Sequence, residues 1–253
     1  MGPIEESTYG KDGLFRGRVH GDADLRALGA SMTSSWSDLS THRRRVRDRF
    51  GDIYRLPIRY RARDIVLAEL HDGQRCLEVG AGDRRMKQRI LSRFPRVSYE
   101  SMDVDERGAH EYKSLDEVKG AYDCIFSLEV VEHLTLDEIE RWLLRLSELL
   151  SPGGILILTT PNVYHPPAFL RDATHRTPLA HDELGGLLEA AGFTVEHIFR
   201  IHYAPPLRRL AVRFCFGWLF RLLGLDFARQ ILAIARVPAK DRARTVVPCR
   251  ASS

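Results

Sequence analysis

An acidic and histidine-containing segment near the middle of the chain has residue types and spacing that could do chemistry. Glu129, Glu132 and His133 occupy positions i, i+3 and i+4, which share one face of a helical turn. Two neighbouring carboxylates are unfavourable unless a positive group joins them. A divalent cation would do so, and carboxylates with one or two imidazoles suit Mg²⁺, Mn²⁺ or Zn²⁺. His175, which follows a later apolar strand, is the residue that would complete such a site.

The same residues also have an interpretation without a metal. Glu129 and Glu132 would then favour the N-terminus of a helix, because carboxylates interact well with that end of the helix dipole. His133 would line a ligand pocket, as a general base or as a hydrogen-bond donor. The residues by themselves leave both interpretations open.

A second segment has the pattern of a nucleotide-binding turn. The apolar run 75–79 contains Glu78 and is followed by Gly80 and Gly82. Glycines at this spacing allow the backbone to approach a ligand closely. Asp103 ends the next apolar strand, at the offset where a carboxylate binds ribose hydroxyls in nucleotide-binding α/β folds.

Strands and helices alternate around these two segments, which predicts a doubly wound, mostly parallel α/β sheet covered on both faces. In such a sheet the carboxyl ends of the strands meet at one edge, where ligands bind. The predicted strands are 75–79, 97–102, a weak one at 110–113, 122–127, 155–159 and 193–199, and the predicted helices are 59–70, 87–93, 136–150 and 182–191.

Four segments together resemble class I S-adenosylmethionine-dependent methyltransferases, and the likeness extends from about residue 60 to 237. The segments are 78–83, 122–134, 150–156 and 190–193. The resemblance implies a Rossmann-like methyltransferase fold with a seven-stranded sheet, in which residues 230–236 form an antiparallel last strand. Asp83 agrees with it, since an acidic turn would repel a pyrophosphate but suits a cofactor with a sulfonium and an amino group.

The resemblance also implies roles for individual residues. The cofactor-binding residues would be Glu78, Gly80, Gly82, Asp103, Ser127, Leu128 and Glu129. His133 would be the general base, with Glu132 as the second catalytic residue. The tentative ligands of Mg²⁺ or Mn²⁺ would be Glu129, Glu132, His133 and His175. The acidic residue that often contacts adenine has no clear counterpart, and Ser114 and Asp116 are the alternatives.

The Glu-x-x-Glu-His pattern with a later histidine is similar to two methyltransferase groups. One is the ubiquinone-biosynthesis O-methyltransferases, which act on ring hydroxyls, and the other is the small-RNA 3′-end 2′-O-methyltransferases. We expect O-methylation of a small or lipophilic hydroxylated acceptor, with RNA 3′-end methylation and non-catalytic cofactor binding as the alternatives. The arginine run 43–49 is the only support for nucleic acid; it lacks interleaved aromatic residues and is typical of a solvated helix face.

Residues outside the predicted catalytic domain, 59–237, form an N-terminal arm with short helices at 1–58 and a flexible tail at 238–253. An apolar cap helix at 204–226 is inserted before the last strand. Its residues 207–224 would roof the acceptor pocket, form a homodimer contact or lie on a membrane surface, since the run is too short and too charged to span a bilayer.

Composition agrees with a soluble enzyme. The net charge of +4 is too small to indicate nucleic acid, and the four cysteines form no Cys-x-x-Cys pair. The N-terminus lacks the basic and apolar regions of a signal peptide, so we expect a cytoplasmic protein, membrane-peripheral if the cap helix docks on lipid.

Overall fold

The computed structural model describes residues 36–105, 107–204, 207 and 215–239. Its strands are β1 (Ile58–Arg59), β2 (Arg75–Val79), β3 (Ser98–Met102), β4 (Tyr122–Leu128), β5 (Leu150–Pro161), β6 (Thr194–Ile201) and β7 (Gln230–Arg236). Its helices are α1 (Trp36–Phe50), α2 (Ala62–Glu69), α3 (Arg85–Arg93), α4 (Leu136–Leu149), α5 (Pro166–Leu170), α6 (His181–Ala190) and α7 (Gly217–Leu222).

The seven strands form one sheet in the order β1-β6-β7-β5-β4-β2-β3, and β7 runs antiparallel to both of its neighbours. Alternating side chains of each strand enter two apolar clusters. Leu77 and Ile125 belong to the cluster that includes α4 and α6, while Cys76 and Phe126 belong to the cluster that includes α2 and α3. The prediction of a doubly wound, mostly parallel sheet is confirmed.

One predicted strand is wrong. Residues 110–113 make only a single bridge, from Tyr112 to Met102. The chain does not extend along β3, because Glu111 turns back and accepts hydrogen bonds from the amide and hydroxyl of Ser101. The sheet still has seven strands, because β1, which was not predicted, pairs with β6 at the opposite edge. The helix predicted at 59–70 therefore begins only at the start of α2.

The helices that carry the site begin and end for identifiable reasons. Thr135 and Glu138 form a capping box at the start of α4, and the buried face of that helix includes Ile139 and Leu143. The predicted helix 136–150 and the predicted strand 155–159 leave residues 151–154 between them, but these residues form the first part of β5. Gly153 turns the chain there with φ of 79°.

Helix α1, the described part of the N-terminal arm, packs against α6. Two glycines of α6 permit the close approach, since a Cβ on Gly185 would lie 2.8 Å from Val46 and one on Gly186 would lie 2.9 Å from Arg43. Arg47 donates to Asp182 at 2.6 Å across the same interface. Residues 1–35 of the arm and 240–253 of the tail lie outside the described residues.

The cap segment is described only in part. Residues 215–223 include α7, while 208–214 lie outside the described residues. Within the described part of the chain, no helix has both the length and the apolar character needed to cross a membrane.

Candidate active site

The glycine turn after β2 lies against the ends of two neighbouring strands. Gly80 (φ 75°) and Ala81 both donate their amides to the carbonyl of Met102, 2.8 and 3.2 Å away. A Cβ on Gly80 would lie 2.2 Å from Val130, so only glycine fits between the turn and the segment after β4. Gly82 (φ 48°) differs, because no atom lies within 4 Å of where its Cβ would be. The turn is closed on one side and open at Gly82.

Asp103 lies beside this open side. Its carboxylate accepts the amide of Gly82 at 2.7 Å and that of Asp105 at 2.9 Å, and the side chain is almost fully buried. The two predicted cofactor contacts are therefore adjacent. Glu78 lies in β2, two residues before Gly80, and is also buried. Its carboxylate accepts a hydrogen bond from the hydroxyl of Tyr99. Burial, with Asp83 and Asp103 nearby, raises the pKa of Glu78 to about 7 although the Tyr99 bond opposes the rise.

The end of β4 brings the second predicted group to the same edge. Ser127 is buried and its hydroxyl has no hydrogen-bond partner among the described residues. Leu128 pairs with Thr159 of β5. Glu129 has a left-handed backbone with φ of 58°, held by its amide bond to the Thr159 hydroxyl at 2.9 Å. A strained non-glycine residue at a strand end is a common feature of binding and catalytic sites.

The carboxylate–histidine cluster, which we define as Glu129, Glu132, His133 and His175, lies directly after this strand. The turn is not the helical one predicted from spacing but a 3₁₀ turn, Val131–His133, entered from the left-handed Glu129. Glu132 consequently points inward and is 0% exposed. One ligand atom each of Glu132, His133 and His175 lie within 4.8 Å of one another.

Backbone contacts hold the two histidines in place. His175 Nδ1 lies 2.8 Å from the carbonyl of Phe169, so it donates there and its Nε2 carries the lone pair. That Nε2 is 3.9 Å from an oxygen of Glu132 and from one of Asp172. His133 Nδ1 faces the hydroxyl and carbonyl of Thr174 at 3.0 and 3.3 Å. The loop 172–176 is itself fastened to Glu132, whose carbonyl accepts the amide of Arg176 at 2.8 Å.

Burial of the side chains is the main cause of the pKa shifts in the cluster. Neither side-chain oxygen of Glu132 has a hydrogen-bond partner among the described residues, and the same holds for one oxygen of Glu129. Desolvation raises the pKa of Glu132, and repulsion from Glu129 and Asp172 adds to the rise, while its own backbone and the nearby Thr160 hydroxyl, which does not reach hydrogen-bond geometry, oppose it. Desolvation also raises the pKa of Glu129 and lowers that of His133.

The cluster fits a divalent cation by the chemistry of its donors. Buried carboxylate oxygens are normally hydrogen-bonded, and those of Glu132 are not. The 3.9 Å between Glu132 and His175 is too long for a direct hydrogen bond, but it is close to the separation expected for two ligands of one cation. Outer-sphere carbonyls that fix imidazole tautomers, as Phe169 does for His175, are usual around metal ligands.

Two residues of this edge were not predicted from the sequence. Gln230 opens β7 close to Glu129, where it opposes the rise in the Glu129 pKa that burial causes, and Tyr203 donates to Gln230 at 2.8 Å. The available signal was the expected antiparallel direction of the last strand, which places its first residue at the carboxyl ends of the others. Ser114 is buried and Asp116 exposed, and their relation to adenine stays a prediction.

The arginine run is not a free basic surface. Arg47 pairs with the buried Asp182, and Arg43 lies 3.3 Å from Glu183. Arg49 donates to the carbonyl of Val195 at 2.7 Å. Arg44, Arg45, Arg47 and Arg49 are nevertheless exposed, as the prediction of a solvated helix face expects, and three of the five arginines in the run also have partners within the domain.

Solved structures with the same fold include methyltransferases and cyclopropane synthases. An S-adenosylmethionine-dependent methyltransferase from Archaeoglobus fulgidus is 18% identical with a TM-score of 0.54, over 69% of this chain and 94% of that one. The cyclopropane synthase MmaA2 from Mycobacterium tuberculosis is 16% identical with a TM-score of 0.51, over 82% of this chain and all of that one. No curated protein matches the sequence.

A family model described as a methyltransferase domain matches residues 48–198, more than half of the chain. The match includes the glycine turn, Asp103, the end of β4 and all four members of the carboxylate–histidine cluster. The fold, the glycine turn and this match agree, and the chain therefore belongs to the methyltransferase-domain family.

Proposed function

We propose that this enzyme methylates a hydroxyl oxygen of a small lipophilic acceptor, and that the carboxylate–histidine cluster binds a divalent cation at the reacting oxygen. The observation that supports this most is Glu132, a carboxylate with no exposed surface and no hydrogen-bond partner among the described residues. Nothing in the fold needs such a group, and burying it is costly. A ligand that completes its coordination explains its presence.

S-adenosylmethionine supplies a methyl group already activated on a sulfonium. The protein then has to align the acceptor oxygen, exclude water and remove the hydroxyl proton. The open side of Gly82 and the neighbouring Asp103 are the expected cofactor contacts. The unpartnered hydroxyl of Ser127 lies on the adjacent strand and is available to the adenosine.

The cluster is suited to a hydroxyl acceptor in particular. A bound divalent cation lowers the pKa of a coordinated hydroxyl and holds its oxygen in place. Glu132 and His175 would be ligands, since an atom of each belongs to the group that lies within 4.8 Å, and Glu129, which is outside that group, would be a third. His133 would accept the proton on Nε2, because the tautomer that donates Nδ1–H to the Thr174 carbonyl leaves the lone pair there.

Apolar surface beside the cluster favours a lipophilic acceptor. Leu170, the last residue of α5 and five residues before His175, is 74% exposed, and Tyr203 beside Gln230 is 48% exposed. Exposed large apolar side chains next to a polar site are typical of a surface that receives an apolar ligand. The ubiquinone-biosynthesis O-methyltransferases remain the group that the motif resembles.

The experiment is methyl transfer from labelled S-adenosylmethionine to hydroxylated aromatic compounds, with and without an alkyl chain, and to short RNAs. We expect transfer to the alkylated compounds, loss on chelation and recovery with Mg²⁺ or Mn²⁺. Full activity in the presence of chelator would contradict the proposal of a bound cation. Transfer only to RNA would contradict the proposal of a small lipophilic acceptor.

The His133→Ala substitution tests the general base. We expect turnover to fall about 100-fold or more while S-adenosylmethionine affinity, measured by calorimetry, is retained. The matched control is His197→Ala, since His197 is an exposed histidine on β6 away from the cluster. An unchanged turnover for His133→Ala would remove this residue from the mechanism.

A further inference from the structure

A buried hydroxyl at the end of β5 has no hydrogen-bond partner among the described residues. It belongs to Thr160, whose side chain is 0% exposed. Buried hydroxyl groups are normally hydrogen-bonded, and an exception calls for an explanation. Thr160 pairs with Ile231 of β7 through the backbone, so the sheet itself does not require a hydroxyl at this position.

The Glu132 carboxylate is the polar group that lies beside the Thr160 hydroxyl. The 3₁₀ turn that carries Glu132 packs against β5. The Thr160 hydroxyl is near enough to oppose the rise in the Glu132 pKa that burial causes, without reaching hydrogen-bond geometry. Both carboxylate oxygens of Glu132 also lack a partner among the described residues. A buried donor and a buried acceptor are thus neighbours, and neither is satisfied.

The preceding residue of β5 already supports the other carboxylate of the cluster. The Thr159 hydroxyl accepts the amide of Glu129 at 2.9 Å and so holds the left-handed backbone of that residue. Successive side chains of a strand point to opposite faces of the sheet. The two consecutive threonines therefore serve different members of the cluster: Thr159 contacts Glu129, and Thr160 is close to Glu132.

A hydroxyl beside a carboxylate has a defined use when that carboxylate is a cation ligand. Ligating side chains are usually held by an outer hydrogen bond, which fixes their orientation, and removing that bond lowers the affinity for the cation. His175 has such a bond, since its Nδ1 donates to the carbonyl of Phe169 at 2.8 Å. Glu132 has none among the described residues, and Thr160 is the neighbouring donor that could supply it.

We propose that Thr160 is a positioning residue for the cation site: its hydroxyl donates to one oxygen of Glu132 and leaves the other oxygen for the cation. The inference rests on the cation proposed for the carboxylate–histidine cluster, and it adds a residue outside that cluster. In this role Thr160 contacts neither the cation nor the acceptor, and its effect passes through Glu132.

The test is binding of Mn²⁺ alone to the full chain, without S-adenosylmethionine or acceptor, measured from the loss of the electron paramagnetic resonance signal of the free ion. We expect Thr160→Val, which replaces the hydroxyl by a methyl group of similar size, to bind Mn²⁺ about 10- to 100-fold more weakly than the wild type. Thr160→Ser keeps the hydroxyl and should retain most of the affinity. The matched control is Thr194→Val, the same change at an exposed position of β6.

Stability provides a readout that separates positioning from a purely structural role. We expect the urea midpoint of Thr160→Val to stay the same or rise, because a buried hydroxyl without a partner contributes no hydrogen bond and its removal ends a desolvation cost. The calorimetric affinity for S-adenosylmethionine should not change. A lower urea midpoint with unchanged Mn²⁺ affinity would show that Thr160 only supports the fold, and would overturn the inference.

The outcomes also distinguish this inference from the proposed function. A wild-type protein that binds no Mn²⁺ contradicts the cation site itself, and with it the role of Thr160. Wild-type binding that Thr160→Val leaves unchanged overturns the role of Thr160 alone. Equal weakening in Thr160→Val and Thr160→Ser overturns it as well, since the serine variant retains the hydroxyl.

Discussion

Two groups of buried polar side chains lie at the same edge of the sheet and differ in whether their carboxylates are hydrogen-bonded. The arginine anchor, which we define as Arg200, Asp226 and Asn162, satisfies its charges: Asp226 bonds to both partners at 3.0 and 2.9 Å. In the carboxylate–histidine cluster, Glu132 is equally buried but has no hydrogen-bond partner among the described residues. The comparison separates a polar group that stabilises the structure from one for which we propose a bound ligand.

The difference follows from what each location has to do. Arg200 also donates to the carbonyls of Leu56 and Tyr54, at 3.0 and 3.2 Å, so the anchor ties the β1 region to the segment after α7. The side-chain oxygens of Glu132 make no comparable hydrogen bonds to other segments among the described residues. A fold that tolerates a costly buried carboxylate usually retains it for chemistry.

The largest effect is expected for Asp226→Ala. The substitution leaves Arg200 buried without its carboxylate, and we expect the free energy of unfolding to fall by about 3–5 kcal/mol. Denaturation in urea measures it. The double variant Arg200→Met with Asp226→Leu removes both charges and should recover most of the loss. A change below about 1 kcal/mol for Asp226→Ala would contradict the structural role of the anchor.

For Glu132→Gln we expect a loss of activity rather than a loss of stability. We expect turnover to fall about 100-fold, equivalent to about 2.7 kcal/mol in activation free energy, because the substitution removes a ligand of the proposed cation. The free energy of unfolding should stay the same or rise, since a neutral amide replaces a buried carboxylate. Glu148→Gln, at an exposed position of α4, is the control. A Glu132→Gln protein that is markedly less stable would place this residue with the anchor.

A smaller effect is expected for Glu78, which is intermediate because it has one partner, Tyr99. Its pKa is raised from about 4.5 to about 7, so the folded state binds the proton more tightly than the unfolded state. Stability of the cofactor-free protein is then greatest below about pH 4.5 and falls as the pH rises to about 7, by at most about 1.4 kcal/mol per pH unit.

Denaturation at several pH values measures this slope. Glu78→Gln should flatten it, while the surface control Glu148→Gln should leave it unchanged. A stability that increases across the same pH interval would show that Glu78 is ionised and paired in the folded protein.

Much of the fold could be predicted from local pattern. The strand 75–79 was predicted from its apolar pattern with the observed bounds. The strand 230–236 also has the expected bounds, but these were implied by the family resemblance. The strand at 110–113 failed because pairing depends on a partner: Glu111 bonds to Ser101, while Ile58 and Arg59 have too little length to be distinguished from the start of a helix.

The proximity of Glu132, His133 and His175 could be expected from the sequence, but the geometry that brings them together could not. Spacing placed Glu129, Glu132 and His133 together, yet the reason given, one face of a helical turn, is wrong, since the turn is a 3₁₀ turn entered from a left-handed residue. Gln230 and Tyr203 could not be recognised at all. Their contacts cross from β7 and β6, and no spacing within one segment encodes them.

The sequence by itself determined the alternation of strands and helices, the glycine turn with its acidic partner and the residue types available for chemistry, because these depend on local periodicity and on the conformational freedom of glycine. Only the tertiary structure decided which buried charges are satisfied. Asp226 and Glu132 are indistinguishable as isolated acidic residues, and they differ because the packing of β6 and β7 brings an arginine to one and leaves the other facing two histidines at a distance suited to a bound cation.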